Sequence, residues 1–500
     1  MARSSSTEFF GSQVGGDGVI NYAYTDMPGR LLVRDIYYFF VYSWSLPLLL
    51  TPMFAYGSDG LDELWPNWPN MLSLAAQLLL VGMQLFFVLA LLPLTVLLPI
   101  WVAAAVVLAF LALNWAICWL LNGSSILLDS DPEYASARPE HAHEQWLFLN
   151  GVAAGKHWTK SNLNRLALTF GRPIKGVHNG TSGIIFDIVE CLVQRNFTYA
   201  TADVRLCFKV LRDVLYDPAK SKVVFIVHSQ GGIEGGLVID WLLQEMPQDL
   251  LAKLEVYTFG NAANHFNNPH RHVLSQELTQ SGPRAALDTL VTESSVATPA
   301  EAEAGGGGGG GGGGYFARDR QSRSRSPSSS RTLPAAEDRA IGHIEHYAHS
   351  TDFVALWGVL HFSTNRMASP QLPRFMGRVF KRSSGRGGHL FNQHYLDGMF
   401  PLARDPRTGA LVGADERNDF MEEPVRVGDE GDAMHGQREA IELAYAVTLG
   451  PAAARRALRK KHVRVKDLSR LWGYRNGRSP PDKTPSPLLA DGVVRTATPA

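Results

Sequence analysis

A serine stands between an apolar run and a helix-like stretch in KVVFIVHSQGGIEGGLVIDWL, residues 222–242. A serine on a sharp strand-to-helix turn exposes its hydroxyl, and neighbouring backbone N–H groups can then meet an oxyanion. Such a turn favours small residues two positions before and two after the serine, because strand and helix pass close together there. Gly231 and Gly232 satisfy the far side, whereas Val227 stands where glycine is usual. Ser229 is a candidate nucleophile, with an ordinary strand-to-helix turn as the alternative.

Residues that would complete a catalytic triad follow this serine in the order acid, then base, which is expected of such a fold. Asp352 comes just after the apolar segment HIEHYAHS, where it can orient an imidazole or cap the following helix. His389 follows two glycines in GRGGHLFNQHYL and is the candidate general base. His394, in the same segment, is the rival base. We predict a triad of Ser229, His389 and Asp352.

The elements that must position these residues alternate along the chain. From about residue 141 to 402, apolar segments of strand length alternate with amphipathic helical stretches. This pattern predicts a three-layer α/β domain with a mostly parallel sheet covered on both faces. A segment at about 275–338, with a decaglycine and an Arg–Ser-rich stretch, interrupts the domain and is expected to be disordered. We also expect an N-terminal tail at 1–35 and a charged, largely disordered C-terminal tail at 413–500.

A long uncharged stretch precedes this domain, since residues 64–128 contain no Asp, Glu, Lys, Arg or His. One membrane span needs about 20 apolar residues, so this stretch is long enough for two. We predict spans near 71–92 and 99–121. A further apolar segment near 37–56 contains two prolines and could be a third span, a re-entrant piece or an interfacial segment. The membrane region is therefore expected at 36–122.

Composition and charge distribution bound the remaining possibilities. The formal net charge is zero, so no global field favours nucleic acid, and three cysteines do not form a disulfide framework. The predicted spans contain no ionisable residue of the kind that would mark a transport pathway. With two spans, Arg30 and Arg34 favour cytosolic termini, whereas three spans would place the domain in the lumen. We expect an integral protein of an intracellular membrane with its α/β domain in the cytosol.

Ligand expectations are few. We expect no metal and no cofactor, and the expected partner is the lipid bilayer. The basic segment at 455–478 could contact anionic lipid headgroups, or it could be a solvated helix face or tail.

Several segments taken together resemble a group of known proteins. FLNGVAAGKHWTKSNLNRLALTF, the IVHSQGG turn, VYTFGNAANHF, HSTDFVALWGVL and GGHLFNQHYL resemble uncharacterised fungal membrane proteins with an α/β-hydrolase, lipase-like domain. The YTFG stretch, followed later by a strand and an aspartate, is also similar to class 3 lipases. The resemblance covers about residues 141–402.

The resemblance implies a serine hydrolase that cleaves a carboxylic ester. A membrane anchor would favour a lipid acyl ester as the substrate. By analogy, the loop after the first strand, at Gly151 and Val152, would supply one oxyanion N–H group, and Gln230 would supply the other. The alternative is a catalytically inactive membrane scaffold that keeps the fold, with Val227 disrupting the nucleophile turn.

Overall fold

A computed structural model describes most of the chain. The described residues are 5–10, 27–53, 59–281, 290–292, 332–334, 338–364, 375–384, 387–427 and 463–480. The strands are β1 (Ser6–Phe10), β2 (Leu127–Asp129), β3 (Glu144–Leu149), β4 (Ile174–Val177), β5 (Lys222–His228), β6 (Leu254–Phe259), β7 (Leu290–Thr292), β8 (Thr332–Pro334), β9 (His343–His349), β10 (Arg378–Ser383), β11 (Leu402–Arg404), β12 (Leu411–Ala414) and β13 (Val425–Val427).

Nine of these strands form one sheet in the order β13-β1-β10-β9-β6-β5-β3-β4-β2. The six strands from β10 to β4 are parallel to one another. Strand β2 is antiparallel to β4, and β1 is antiparallel to β10. The prediction of a mixed α/β chain with a mostly parallel sheet is confirmed.

The main helices lie between these strands along the chain. They are α1 (Pro28–Tyr42), α2 (Trp68–Leu97), α3 (Ile100–Asn122), α4 (Lys156–Phe170), α5 (Ile184–Phe197), α6 (Ala202–Tyr216), α7 (Gly231–Glu245), α8 (Gln248–Leu251), α9 (Val273–Ser281), α10 (Phe353–Trp357) and α11 (Val359–Thr364). Shorter helical segments lie at Ser43–Leu48, Pro139–His141, Phe391–Leu396, Asp397–Met399, Asp419–Glu422, Val465–Leu468 and Leu471–Gly477.

Both faces of the sheet are buried, because successive side chains of a strand point to opposite faces. In β5, Phe225 and Val227 pack in one hydrophobic cluster with α6 and α7. Val224 and Ile226 pack in a second cluster, with α4 and the C-terminal segment. This burial explains why the central strands read as nearly continuous apolar runs instead of alternating ones.

Two helices, α2 and α3, are long and apolar enough to cross a membrane, with 30 and 23 residues. Only 11% of the most apolar window of each is buried within the protein, so most of their apolar surface faces outward. Leu98 and Pro99 separate the two helices, near the reversal that the predicted spans require.

In the described part of the possible third span near 37–56, which ends at residue 53, no helix is long enough to cross a bilayer. Helix α1 begins earlier, at Pro28, and has only 15 residues, too few to cross a bilayer. Its buried Asp35 forms an ion pair with Arg195 of α5 at 3.1 Å, so α1 is attached to the α/β domain. Among the described residues, α2 and α3 alone meet the length and hydropathy expected of spans.

Both expected tails contain parts of the fold. Residues 6–10 form β1, which pairs with β10 and β13 inside the sheet. In the C-terminal tail, 463–480 is packed in the second hydrophobic cluster, where Leu471 and Tyr474 are fully buried. The expectation of a largely disordered tail is wrong for this segment, because apolar residues placed between its basic residues enter the core.

The interrupting segment is described only at its two ends. Helix α9 continues to Ser281, and Ser275 is buried against Asp338, its hydroxyl donating to that carboxylate at 2.5 Å. Strands β7 and β8 pair antiparallel. The decaglycine and the Arg–Ser-rich stretch lie outside the described residues.

Candidate active site

Ser229 occupies a strained turn between β5 and α7. Its φ of 58° lies in the left-handed region, which a residue other than glycine rarely adopts. Three backbone hydrogen bonds hold it there: its N–H donates to Phe259 O at 3.1 Å, and its carbonyl accepts from the N–H groups of Gly232 at 2.9 Å and Ala262 at 3.1 Å. Such strain, held by surrounding structure, is typical of functional positions.

The glycines behind the serine are required by close packing. A Cβ atom at Gly231 would lie 2.6 Å from Leu149 O, and one at Gly232 would lie 2.1 Å from Asn261 Oδ1. Neither site has room for a side chain. The start of α7 therefore approaches the ends of β3 and β6 as closely as the sequence pattern suggested.

Val227 is accommodated by a glycine that sequence reasoning did not single out. A Cβ at Gly235, one helical turn into α7, would lie 3.2 Å from Val227 Cγ1 and 3.3 Å from Phe225 Cε1. The missing side chain on the helix thus leaves space for the extra volume on the strand. Val227 is compatible with the turn at Ser229, although glycine is usual there.

Ser229, His389 and Asp352 lie in one hydrogen-bonded row. Ser229 Oγ is 2.9 Å from His389 Nε2, and His389 Nδ1 is 2.8 Å from Asp352 Oδ2. These residues follow β5, β10 and β9, three parallel strands whose carboxyl ends meet at one edge of the sheet. The structure brings together the three residues that the sequence order suggested.

The Asp352 carboxylate is fully buried and well supplied with donors. Burial opposes its ionisation, but the facing His389 and the hydrogen bonds from His389 and Tyr395 outweigh burial and hold the pKa of Asp352 below its usual value. Tyr395 donates its hydroxyl to Oδ2 at 2.6 Å, and the Val354 N–H donates to Oδ1 at 2.8 Å. The carboxylate therefore both orients the imidazole and caps α10, the two roles that the sequence left open.

Tyr395 and Gly260 are site residues that the sequence did not reveal. Gly260 has a φ of 53°, and a Cβ there would lie 2.8 Å from Asp352 Oδ2 and 3.1 Å from His389 Cε1. Glycine is thus required for the acid and base to approach each other. The YTFG stretch and the helical spacing in FNQHYL carried no signal specific enough to assign these roles.

His394, the rival base, is held by backbone groups. Its Nδ1 accepts from the Leu390 N–H at 3.0 Å, and its Nε2 lies 3.1 Å from Pro52 O. Burial, together with the neighbouring His389, lowers the pKa of His394 to about 4. Both ring nitrogens serve the shape of this loop, so His394 supports the position of His389 without facing Ser229.

His228 is a second supporting histidine that was missed. Its ring stacks on the His389 ring with centroids 4.7 Å apart, and its Nε2 lies 2.9 Å from His389 O. Burial and the neighbouring His389 lower the pKa of His228 to about 3, so the ring is neutral at ordinary pH. A neutral Nε2–H can donate to the His389 carbonyl and hold the base over Ser229.

The loop after β3 approaches the serine closely. A Cβ at Gly151 would lie 2.3 Å from Ser229 Cβ and 2.9 Å from Ser229 Oγ, so this backbone lies directly against the nucleophile. The Ala153 N–H is already bound to Asp187 Oδ2 at 3.1 Å. Gly151 and Val152 therefore remain the loop positions suited to stabilising an oxyanion beside Ser229.

Gln230, the other expected oxyanion donor, immediately precedes α7. The positive end of the dipole of this 15-residue helix therefore lies at Gln230. Its side-chain amide donates to Gln194 Oε1 at 3.0 Å and to Glu190 Oε1 at 3.2 Å. Burial, reinforced by nearby carboxylates, raises the pKa of Glu190 to about 7. These contacts anchor the residue next to the nucleophile.

The apolar region that precedes the α/β domain supports both sides of the site. On one side, Leu49 O accepts from the His389 N–H at 2.8 Å. Buried Glu63 accepts from the N–H groups of Asn392 at 2.9 Å and Gln393 at 3.1 Å. Burial raises the pKa of this carboxyl to about 7. The His389 loop is therefore built on residues that precede the α/β domain.

On the other side, α2 contacts the loop after β3 and the start of α5 through side-chain amides. Gln77 of α2 donates to Ala153 O at 3.0 Å. Gln84 donates to Ser182 O at 2.7 Å and accepts from the Ile185 N–H at 3.1 Å. In an apolar environment such groups need partners, and the domain supplies them.

Within the described part of the chain, no group of three or more His, Cys, Asp or Glu side chains is arranged to hold a metal ion. Comparisons with protein-family models, with curated proteins and with solved structures found no match to this chain.

Proposed function

We propose that this chain is a membrane-anchored serine hydrolase that cleaves a carboxylic ester, with a lipid acyl ester as its substrate. The observation that carries the proposal is the row of Ser229, His389 and Asp352, with contacts of 2.9 and 2.8 Å, on a strained strand-to-helix turn. The strand order supports an α/β-hydrolase fold, in which acid and base follow the strands after the nucleophile.

The geometry supports the following chemistry. Ser229 Oγ attacks the ester carbonyl carbon while His389 Nε2 takes the hydroxyl proton, and Asp352 stabilises the imidazolium. Backbone N–H groups of Gln230 and of the Gly151 loop stabilise the resulting oxyanion. The alcohol leaves with the proton from His389. Water, activated by the same histidine, then releases the carboxylic acid and restores the serine.

The membrane part of the proposal rests on α2 and α3. Their length and outward apolar surface favour lipid over a soluble core, in which helices are mostly buried. A membrane-resident ester would be concentrated next to the site. Arg30 and Arg34 favour a cytosolic position of the α/β domain at an intracellular membrane.

The test is labelling of the purified full-length chain by a fluorophosphonate probe, together with hydrolysis of a short-chain ester. Wild type should be labelled, and Ser229→Ala should lose labelling and several orders of magnitude of hydrolysis. Ser221→Ala is the matched control, because Ser221 is exposed just before the opposite end of the same strand. If wild type and Ser229→Ala are equally inert, the inactive-scaffold alternative replaces the proposal.

A further inference from the structure

Helix α1 is apolar on two faces. Its inner face packs on the α/β domain: the Phe39 ring lies 5.0 Å from that of Phe353 and 6.1 Å from that of Trp357. Its outer face is exposed, with Tyr37 at 62% and Phe40 at 69%. A helix on the surface of a soluble protein normally presents polar residues outward.

The outer residues form one stripe that continues beyond the helix. The large exposed apolar residues of this segment are Val33, Ile36, Tyr37, Phe40, Val41, Trp44, Leu50 and Met53. Within α1 they recur at spacings of three and four residues, which places them on one side. A contiguous apolar patch of this kind marks an interaction surface.

Helix α5 contacts both α1 and the two long apolar helices. On one side of α5, Asn196 and Arg195 bind the Asp35 carboxylate of α1, at 2.7 and 3.1 Å. On its other side, Phe186 packs edge-on against the stacked rings of Phe87 in α2 and Phe110 in α3. Helix α5 therefore links α1, which carries the stripe, to α2 and α3.

We propose that α1 and the segment 43–53, here called the interfacial element, lie in the plane of the bilayer surface with the exposed stripe in lipid. The occupant of the stripe is the bilayer because α5 joins α1 to two helices of membrane-spanning length and composition, and the stripe itself is apolar and exposed. At 15 residues, α1 suits an in-plane position and not a crossing one. Arg30 and Arg34 near its start can reach phosphate headgroups.

The interfacial element also carries the loop of the candidate base. Leu49 O accepts from the His389 N–H at 2.8 Å, and Pro52 O accepts from the Gln393 side-chain amide at 2.9 Å. On the opposite flank, Gln77 of α2 holds Ala153 beside the oxyanion loop. The candidate site thus lies between two elements that are proposed to contact the membrane. Resting on the proposed function, this places the substrate among acyl lipids that enter directly from the bilayer.

The membrane contact is tested without reference to catalysis, on the full-length chain in phosphatidylcholine nanodiscs. A bimane fluorophore is attached to Phe40→Cys and, separately, to Tyr216→Cys in α6 and Leu89→Cys in α2, all exposed positions. The native cysteines Cys118, Cys191 and Cys207 are buried. Doxyl-labelled lipids should quench the fluorophore at positions 40 and 89 but not at 216. Equally weak quenching at positions 40 and 216 would overturn the inference. It would also be overturned if position 40 were quenched only by a second copy of the chain that carries the quencher, and not by the lipids.

A second measurement tests the consequence for the substrate. Phe40→Asp with Trp44→Asp should lower the ratio of vesicle-lipid hydrolysis to soluble short-ester hydrolysis by about tenfold. Tyr216→Asp should leave this ratio unchanged. An unchanged ratio in the double variant would refute direct entry from the bilayer. Wild type could also hydrolyse neither ester although the lipids quench the fluorophore at position 40. In that case the proposed function fails, and the membrane contact of the interfacial element is still supported.

Discussion

Two carboxylate–imidazole pairs, one at each end of the parallel strands, have the same oxygen–nitrogen distance but different surroundings. At the carboxyl edge, His389 Nδ1 lies 2.8 Å from Asp352. At the amino edge, His343 Nε2 lies 2.8 Å from Glu345. The other ring nitrogen of His389 lies 2.9 Å from the hydroxyl of Ser229, which is on a strained turn. The distance between acid and imidazole therefore does not distinguish the two pairs, whereas the serine hydroxyl on its strained turn does.

The amino edge shows what the same residue types do in a structural role. Glu345 also accepts from the Tyr347 hydroxyl at 2.7 Å and from the Arg470 N–H at 2.7 Å. Neighbouring Glu255 is buried, and although burial opposes its ionisation, Arg470 holds the pKa of Glu255 at about 2. Here each of these two carboxylates is paired with donors from the chain itself.

The largest expected difference between the two edges is catalytic. His389→Ala should lower ester hydrolysis by about 10⁴-fold or more, because members of a triad act as a unit. His343→Ala should leave the activity of the folded protein within about tenfold and lower its stability by about 1–3 kcal/mol, since Glu345 loses a buried partner. Hydrolysis rates normalised to folded protein measure both. Similar activity losses in the two variants would contradict the distinction.

Removal of a charge at the amino edge should act on stability. Arg470→Met should lower the free energy of unfolding by about 3–5 kcal/mol, because buried Glu255 then loses its 2.8 Å ion pair. Urea unfolding in detergent is the measurement. Adding Glu255→Gln to this variant should restore part of the loss. If the double variant is no more stable than Arg470→Met, the uncompensated carboxylate is not the cause.

The carboxyl edge should show its own dependence on pH, through Glu63. Burial raises its pKa from 4.5 to about 7, so the folded state holds a proton that the unfolded chain releases. Stability should therefore fall as pH rises from about 4.5 to 7, by up to the order of 3 kcal/mol for this group. Glu63→Gln should show a flatter melting-temperature profile between pH 4.5 and 8. Parallel profiles of wild type and variant would exclude this contribution.

The smallest expected effect concerns the packing behind the nucleophile. Gly235→Ala should lower the free energy of unfolding by about 1 kcal/mol, because its new methyl group would press on Val227. Val227→Ala in the same chain should recover the loss. Gly82→Ala is the matched control, since a Cβ there meets nothing within 4 Å. Thermal melting compares the variants, and equal effects at positions 82 and 235 would show that the close contact is unimportant.

Sequence reasoning was most effective where the information is local. Apolar run length and helical periodicity predicted the alternation of strands and helices between about residues 141 and 402 and the mostly parallel sheet. Sequence reasoning was wrong where a charged segment also contributes to the core. The basic stretch at 455–478 is an example: Arg464 and Lys466 pair with Glu422, and Arg475 and Arg478 pair with Glu416. Alternating basic and apolar residues conceal such packing until their partners are known.

The sequence by itself determined the element types, the uncharged stretch of spanning length and the chain order of Ser229, Asp352 and His389, since these depend on neighbouring residues. Only the tertiary structure decided that His389 and not His394 faces the serine, that Gly260 and Tyr395 support Asp352, and that α1 lies on the domain. These contacts join residues far apart in the chain, so they depend on strand order and on which faces pack together. No local pattern carries that information, because the free energy of each such contact is realised only once the sheet has formed.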